Sequence, residues 1–277
     1  MIKFICDFTL EESRGGAEFV DNTVIEYLGV KVTKSSELIP SKDEFYILSN
    51  TSLMKQENLD FIRDNCKYII LEHDYKIHPT RHPWRFENGV VPSDQITNRD
   101  LYKNALATFV QTDDHLQVFK LNGIEGNFES LECSIWSDKE LDTLSKFCNN
   151  NPRKRSTFAV LDSQNWIKNT KQAVDFCENM KIDYELVGHQ DYDIFLQSLA
   201  AYSTLVFFPI ARETCCRLLV EAKCLGLNVI TSGNSGAFQS DWFRLNKLEL
   251  INYLKDQSKK NLKNIEGIIN ESTTTDR

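Results

Sequence analysis

The sequence predicts an α/β fold with parallel sheets, divided into two domains, and three observations predict it. Short apolar runs of strand length alternate with longer helical patterns along nearly the whole chain. The stretch Phe207 to Ala237 reads as a strand end, a loop carrying Glu213, an apolar helix containing Glu221, a Gly226 stop and a second buried strand, Leu227 to Thr231, which together make a βαβ unit. At 277 residues, with 41% hydrophobic and 26% charged, the chain is long enough for two ordinary α/β domains. Between them, Asn149 to Arg155 (NNNPRKR) breaks the apolar pattern as a hinge would. The expected divisions are 1–150, 151–245 and a carboxy-terminal helix with a frayed tail over 246–277.

Taken in order, Ile2 to Phe8 is a strand that enters a polar loop, Thr9 to Arg14. Gly15, Gly16 and a helix over Ala17 to Leu28 follow. Glycines at this point let the backbone approach a ligand and leave N–H groups at a helix start, although a plain turn capping the helix would look the same. Val30 to Val32 and Phe45 to Leu48 are strands, Leu53 to Asn65 is a helix, and Lys67 to Glu72 is a strand. His73 and Asp74 therefore fall just beyond a strand end, where α/β proteins bind ligands. A core or capping histidine is the other reading of His73. The following segment interleaves Lys76, Arg81, His82 and Arg85 with Tyr75, Trp84 and Phe86, and Pro79 and Pro83 mark it as a loop. Cations with flat rings suit a sugar, phosphate or nucleobase partner, and also describe a solvated basic loop pinned by its aromatics. A helix over Asn98 to Ala105, a strand over Leu106 to Gln111 and a helix over Thr112 to Asn122 follow.

The second half opens with a strand over Thr157 to Leu161, a loop from Asp162 to Trp166 and a helix from Lys168 to Met180. Tyr184 to Val187 is a further strand, with Gly188 to Asp191 turning at its end. Leu196 to Tyr202 and the run Leu205 to Phe208 lead back into the βαβ stretch. Its loops, Ala211 to Thr214 and Ser232 to Gly236, both belong at the carboxyl ends of their strands and should converge. The first helical turn after Glu213 offers N–H groups and a partial positive charge to an anion such as a diphosphate. Glu213 and Glu221 are eight residues apart, about 12 Å along a helix at roughly 1.5 Å per residue. Spacing alone also fits a helix N-terminal Glu beside a solvated helical one, but Glu221 stands between Val220 and Ala222 in an apolar helix.

This pattern, Glu213, seven residues, then Glu221, with Pro209, Arg217, Ala222 and Gly226 in register, resembles the signature of retaining glycosyltransferases of family four. The fragments His73 to Lys76, Arg81 to Pro83, Gln111 to His115 and Ile135 to Leu141 resemble a phage and bacterial subgroup. The resemblance implies the GT-B fold: two Rossmann-like α/β/α domains facing each other across a cleft, acceptor domain first and donor domain second, with the carboxy-terminal helix packing back across them. It further implies that Glu213 bonds hydroxyls of the transferred sugar, Glu221 holds the ribose hydroxyls, and Thr214 and Cys215 line the donor site. Gly188 would turn where the nucleobase sits, and Gly15 and Gly16 would face the sugar and diphosphate. Family members carry an Arg and a Lys on the diphosphate; Lys168 fits the Lys, whereas Asp162 and Ser163 stand where the Arg is sought, leaving Arg217 to supply that charge. His73 joins Glu213, Lys168 and Arg217 as a catalytic candidate, and Asp74, Lys76, Arg81, Trp84 and Arg85 are acceptor candidates.

The implied substrate is a nucleotide-diphosphate sugar, a UDP-sugar, with no cofactor, and no His/Cys cluster suggests a metal. The acceptor stays open between 5-hydroxymethylcytosine in phage DNA and a glycan or lipid-linked saccharide of a surface polymer, and a catalytically silent sugar-nucleotide binder is a third reading. A net charge of −8 gives the surface no general attraction for nucleic acid or anionic membrane. The eight cysteines include no Cys-x-x-Cys pair, so buried thiols are expected. With no apolar run near the roughly 20 residues of a membrane span and no signal-peptide layout at Met1 to Phe8, the expected location is cytoplasmic.

Overall fold

The structure, a computed structural model, describes residues 1–149, 154–188 and 191–274. Most of the expected hinge, 150–153, and two residues of the expected turn, 189–190, thus lie outside the described residues. The chain divides into two compact units, Met1–Trp136 with Gln257–Arg277, and Ser137–Asp256.

The first unit is a six-stranded parallel sheet. Its strands are β1 (Ile2–Cys6), β2 (Lys31–Lys34), β3 (Phe45–Leu48), β4 (Lys67–Glu72), β5 (Thr108–Val110) and β6 (Phe128–Ser130), in the order β2-β1-β3-β4-β5-β6. Helices α1 (Gly16–Leu28), α2 (Gln56–Asn65), α3 (Arg99–Asn104) and α4 (Asp113–Leu121) connect them. The central strands are mostly apolar because a parallel sheet is covered on both faces, and their alternate residues feed two separate cores. Phe4, Ile47, Ile69 and Phe109 pack with Val20 and Val24 of α1. Ile5, Leu48, Ile70 and Val110 pack with Ile62 of α2 and Phe119 of α4. The first of these cores is completed by Leu262, Ile265 and Ile269 of α9 (Lys247–Thr274), a helix whose first ten residues belong to the other unit. Each fully buried side chain of this size contributes about 1.5–3 kcal/mol.

The second unit holds α5 (Asp138–Asn149), β7 (Phe158–Leu161), α6 (Thr170–Asn179), β8 (Tyr184–Val187), α7 (Tyr192–Leu199), β9 (Thr204–Phe207), α8 (Arg217–Cys224) and β10 (Asn228–Thr231). Its sheet is parallel, in the order β10-β9-β7-β8. Helix α5 starts in a capping box: Ser137 Oγ accepts the Glu140 N–H at 3.2 Å, and Glu140 Oε2 accepts the Ser137 N–H at 2.9 Å.

Several boundaries differ from the sequence expectation for local reasons. Helix α2 starts at Gln56 and not Leu53, because the Ser52 and Leu53 N–H groups donate to the Asp7 carboxylate at 2.9 and 3.1 Å. Lys168 ends a short 3-10 turn, Trp166–Lys168, and Asn169 at φ +53 separates it from α6. Among the described residues no helix is long and apolar enough to cross a membrane.

Candidate active site

In the second unit, the loops after β7, β9 and β10 are stitched into one surface at the carboxyl end of the sheet. The Glu213 N–H donates to the Asn234 carbonyl at 3.1 Å and the Gly236 N–H to the Glu213 carbonyl at 2.9 Å. Ser235 Oγ and the Ala237 N–H both donate to the Cys215 carbonyl, at 2.8 and 3.1 Å. The Ile210 N–H reaches the Ile167 carbonyl at 2.9 Å, and Asn169 Nδ2 reaches the Phe208 carbonyl at 3.1 Å. On this frame Lys168 Nζ donates to Glu213 Oε1 at 2.7 Å, with both side chains partly open to solvent at 32% and 17%. A cation and a carboxylate separated by 45 positions in sequence are thereby brought into direct contact.

The path from Glu213 to Glu221 is not one helix. Cys216 takes a left-handed conformation, φ +71, and α8 begins only at Arg217, so the helical rise cannot be applied over all eight residues and the N–H groups after Glu213 belong to a loop. Thr214 is half-buried; Cys215 and Cys216 are buried. Burial pushes the Cys215 thiol up to about 12 and the Cys216 thiol well above its ordinary value, which keeps both protonated.

Arg217 departs from its expected role. Expected to grip a diphosphate, it is buried with its guanidinium on the Glu140 carboxylate of α5, because the first turn of α8 packs inward. Glu221, one turn along, is also buried, and Tyr192 OH donates to its Oε1 at 2.8 Å. Burial raises the Glu221 pKa, opposed by the Arg217 charge and the Tyr192 hydrogen bond. Gly188 is tied to close packing: a Cβ there would lie 2.5 Å from the Asp162 carbonyl oxygen. Sequence reasoning missed Tyr192 and Glu140. Glu140 lies inside the Ile135 to Leu141 fragment but was given no role there, and nothing in the sequence singles out Tyr192.

In the first unit, Gly15 caps α1 without a side-chain bond, and a Cβ on it would collide with the Glu18 carboxylate. Burial raises the Glu18 pKa, and backbone hydrogen bonds from Glu18 itself and Gly15 oppose the rise. The turn at Gly15 and Gly16, expected to face a ligand, thus accommodates a carboxylate of its own helix. His73 is buried at the end of β4. Gln111 Nε2 donates to the Glu72 carbonyl at 2.9 Å, which can only accept, and also approaches His73 Nδ1 at 3.2 Å. Nδ1 therefore accepts, and Nε2–H donates to Asp21 Oδ1 at 2.7 Å. Both ring nitrogens are engaged, so the expected catalytic histidine stands here as a buried link between α1, β4 and β5.

Three of the acceptor candidates are held in ion pairs within their own loop and strand end. Lys76 Nζ lies 2.5 Å from the Glu72 carboxylate, which also accepts Tyr102 OH at 2.6 Å and the Asp74 N–H at 3.0 Å. Arg81 Nη1 donates to Asp74 Oδ2 at 2.8 Å. Burial pushes the Asp74 carboxyl up, but Lys76 and Arg81 outweigh it and leave the pKa lowered. His115 Nε2–H donates to the Asp74 carbonyl at 2.7 Å, and burial pushes its imidazole down to about 3. Trp84 packs its ring against Gly89, where a Cβ would meet ring carbons at 3.1 Å, so the ring is a buttress of its own loop. Arg85 is exposed. Among the described residues no three His, Cys, Asp or Glu side chains group as a metal site.

Two parallel-sheet α/β units of this kind define the GT-B class of fold, and solved structures of that class match the chain throughout. HepE of Anabaena, in complex with UDP and glucose, matches with a TM-score of 0.52 at 14% identity over 93% of this chain and 89% of its own. The trehalose-6-phosphate synthase OtsA matches with a TM-score of 0.61 at 8% identity over 96% and 98%. An α-glucosyltransferase in complex with UDP and a 13-mer DNA containing a HMU base matches with a TM-score of 0.50 at 8% identity over 96% and 90%. At these identities the likeness is one of fold. No family model and no curated protein matches the sequence.

Proposed function

We propose that this chain is a retaining glycosyltransferase that moves a sugar from a UDP-sugar to an acceptor hydroxyl. The observation that carries this reading is the Lys168–Glu213 contact, held at the carboxyl end of the second unit's sheet by three loops stitched through their backbones. The GT-B architecture supports it, since HepE, with the same fold, binds UDP and UDP-glucose.

In this reading the donor separates the pair. Glu213 takes hydroxyl protons of the transferred sugar as hydrogen bonds, and Lys168 turns its charge to the diphosphate. The bond from the anomeric carbon to the phosphate oxygen breaks and a bond to the acceptor oxygen forms on the same face. The acceptor proton passes to the departing phosphate oxygen, so no separate base is needed. Negative charge grows on the diphosphate as it leaves, and a fixed donor aimed at such charge is worth about 2.7–4 kcal/mol in the transition state. Glu221 holds the ribose, and the turn at Gly188 lies beside the base.

The acceptor proposed is the hydroxymethyl group of 5-hydroxymethylcytosine in DNA, which would have to leave the base stack to react. The α-glucosyltransferase solved with DNA supports this choice, as does Arg85, the exposed cation of the loop after β4. Incubating the protein with a panel of nucleotide sugars and with hydroxymethylated or plain DNA, read by mass spectrometry, tests it. One hexose mass on hydroxymethylated DNA alone is the expected result. No gain on DNA, with slow release of UDP from the donor, would redirect the acceptor to a glycan; donor binding without turnover would leave a silent binder.

A further inference from the structure

Glu221 belongs to an array of four side chains, three of them buried and Tyr192 half-buried, drawn from three helices of the second unit. Glu140 of α5 divides its carboxylate between two tasks: Oε2 caps its own helix on Ser137, and Oε1 takes the guanidinium of Arg217 on α8. Arg217 and Glu221 lie one turn apart on the same helix, and Tyr192, the first residue of α7, closes the array by donating to Glu221 Oε1 at 2.8 Å. Arg217 is 9% exposed, and Glu140 and Glu221 are each 5% exposed. Two carboxylates and one guanidinium held away from water are costly unless geometry and hydrogen bonds compensate, and removing one member of such a group unbalances the others.

We propose that Tyr192, Arg217 and Glu140 are positioning residues that fix the Glu221 carboxylate, with Oε1 committed to Tyr192 and Oε2 presented to the ribose hydroxyls of a nucleoside diphosphate. This rests on the ribose reading of Glu221 given above and assigns the residues that make it possible. A carboxylate able to rotate would lose its two-point hold on adjacent hydroxyls. Tyr192 removes that freedom, while the Arg217 charge opposes the rise that burial imposes on the Glu221 pKa. Glu140 sets how much of the Arg217 charge Glu221 receives. The groups facing Glu221 are Tyr192 from α7, Glu140 from α5, Arg217 and Cys224 on its own helix, Cys215 before that helix, and Lys168.

Two substitutions separate these roles because they act on Glu221 with opposite sign. Tyr192→Phe removes a hydrogen bond to the charged form, so Glu221 protonates more readily and the acid limb of UDP binding moves to higher pH. Glu140→Gln removes a repelling carboxylate and leaves Glu221 as the only carboxylate of the array for Arg217, so the limb moves to lower pH. Gln is accepted in a capping box, which preserves the start of α5.

The test measures affinity for UDP and for 2′,3′-dideoxy-UDP across pH in the wild type and both variants, with thermal unfolding as a control. The expected wild type prefers UDP by about tenfold or more, the scale of a hydrogen bond to a charged group. Tyr192→Phe removes most of that preference. A purely structural lesion would weaken both ligands equally. A wild type that prefers UDP, alongside variants with undiminished preference and unmoved acid limbs, overturns the positioning array and leaves the ribose reading standing. A wild type that binds both ligands alike overturns the ribose reading, and the array with it.

Discussion

At the scale of single residues, the reaction proposed here depends on Lys168 and Glu213 doing different things once a donor arrives. Lys168→Ala should lower kcat by about 10²–10³-fold with a smaller change in KM, since a charge aimed at the leaving group acts mainly in the transition state. Glu213→Ala should abolish transfer without unfolding the chain, because its side chain is partly open and its backbone bonds to Asn234 and Gly236 remain. Rapid-quench kinetics with a single turnover of UDP-sugar would check both. The sequence singles out Glu213, Glu221 and Lys168 by charge and spacing beside Pro209 and Gly226, and the structure brings Lys168 and Glu213 into contact and buries Glu221. The role of Arg217 was not legible: an arginine one turn into a helix looks alike from the sequence whether it faces solvent or Glu140, a partner 77 positions away.

At the scale of elements, the stitched loops must hold their shape with little regular structure. Ser235→Ala removes the hydroxyl that donates to the Cys215 carbonyl and leaves that acceptor with the Ala237 N–H alone, which should cost about 0.5–1.5 kcal/mol in stability, read from chemical denaturation. Gly188→Ala should cost more than a surface substitution of the same size, since the new methyl would stand 2.5 Å from the Asp162 carbonyl oxygen. The strands were the most legible elements, because runs such as Phe45–Leu48 are apolar at every position as a doubly covered parallel sheet requires. The edge strand β6 escaped notice because Phe128–Ser130 carries only one apolar residue. The start of α8 was misjudged because a left-handed Cys216 leaves no compositional trace: glycine normally marks such a conformation.

At the scale of the whole molecule, charge and pH set two expectations. His115 is held neutral in the fold, pushed from 6.5 to about 3 by burial, so the unfolded chain binds its proton first. The stability this contributes is fully present above about pH 6.5 and is lost as pH falls toward 3. Denaturation midpoints across that window should fall steeply, and His115→Gln should flatten the slope. With a net charge of −8, a DNA acceptor would be held through few phosphates. Raising salt from about 50 to 200 mM should therefore weaken its KM by no more than about tenfold, corresponding to one or two phosphate contacts.

The helix α9 carries one more consequence. Leu262, Ile265 and Ile269 close a core whose strands lie before residue 110, Asn261 Nδ2 donates to the Leu131 carbonyl at 2.8 Å, and Ser258 Oγ accepts the Trp136 N–H at 2.9 Å. During synthesis these strands are thus made well before the helix that seals them. Until α9 has been made and has docked, a greasy flank of the nascent sheet stays open to chaperones and to its neighbours.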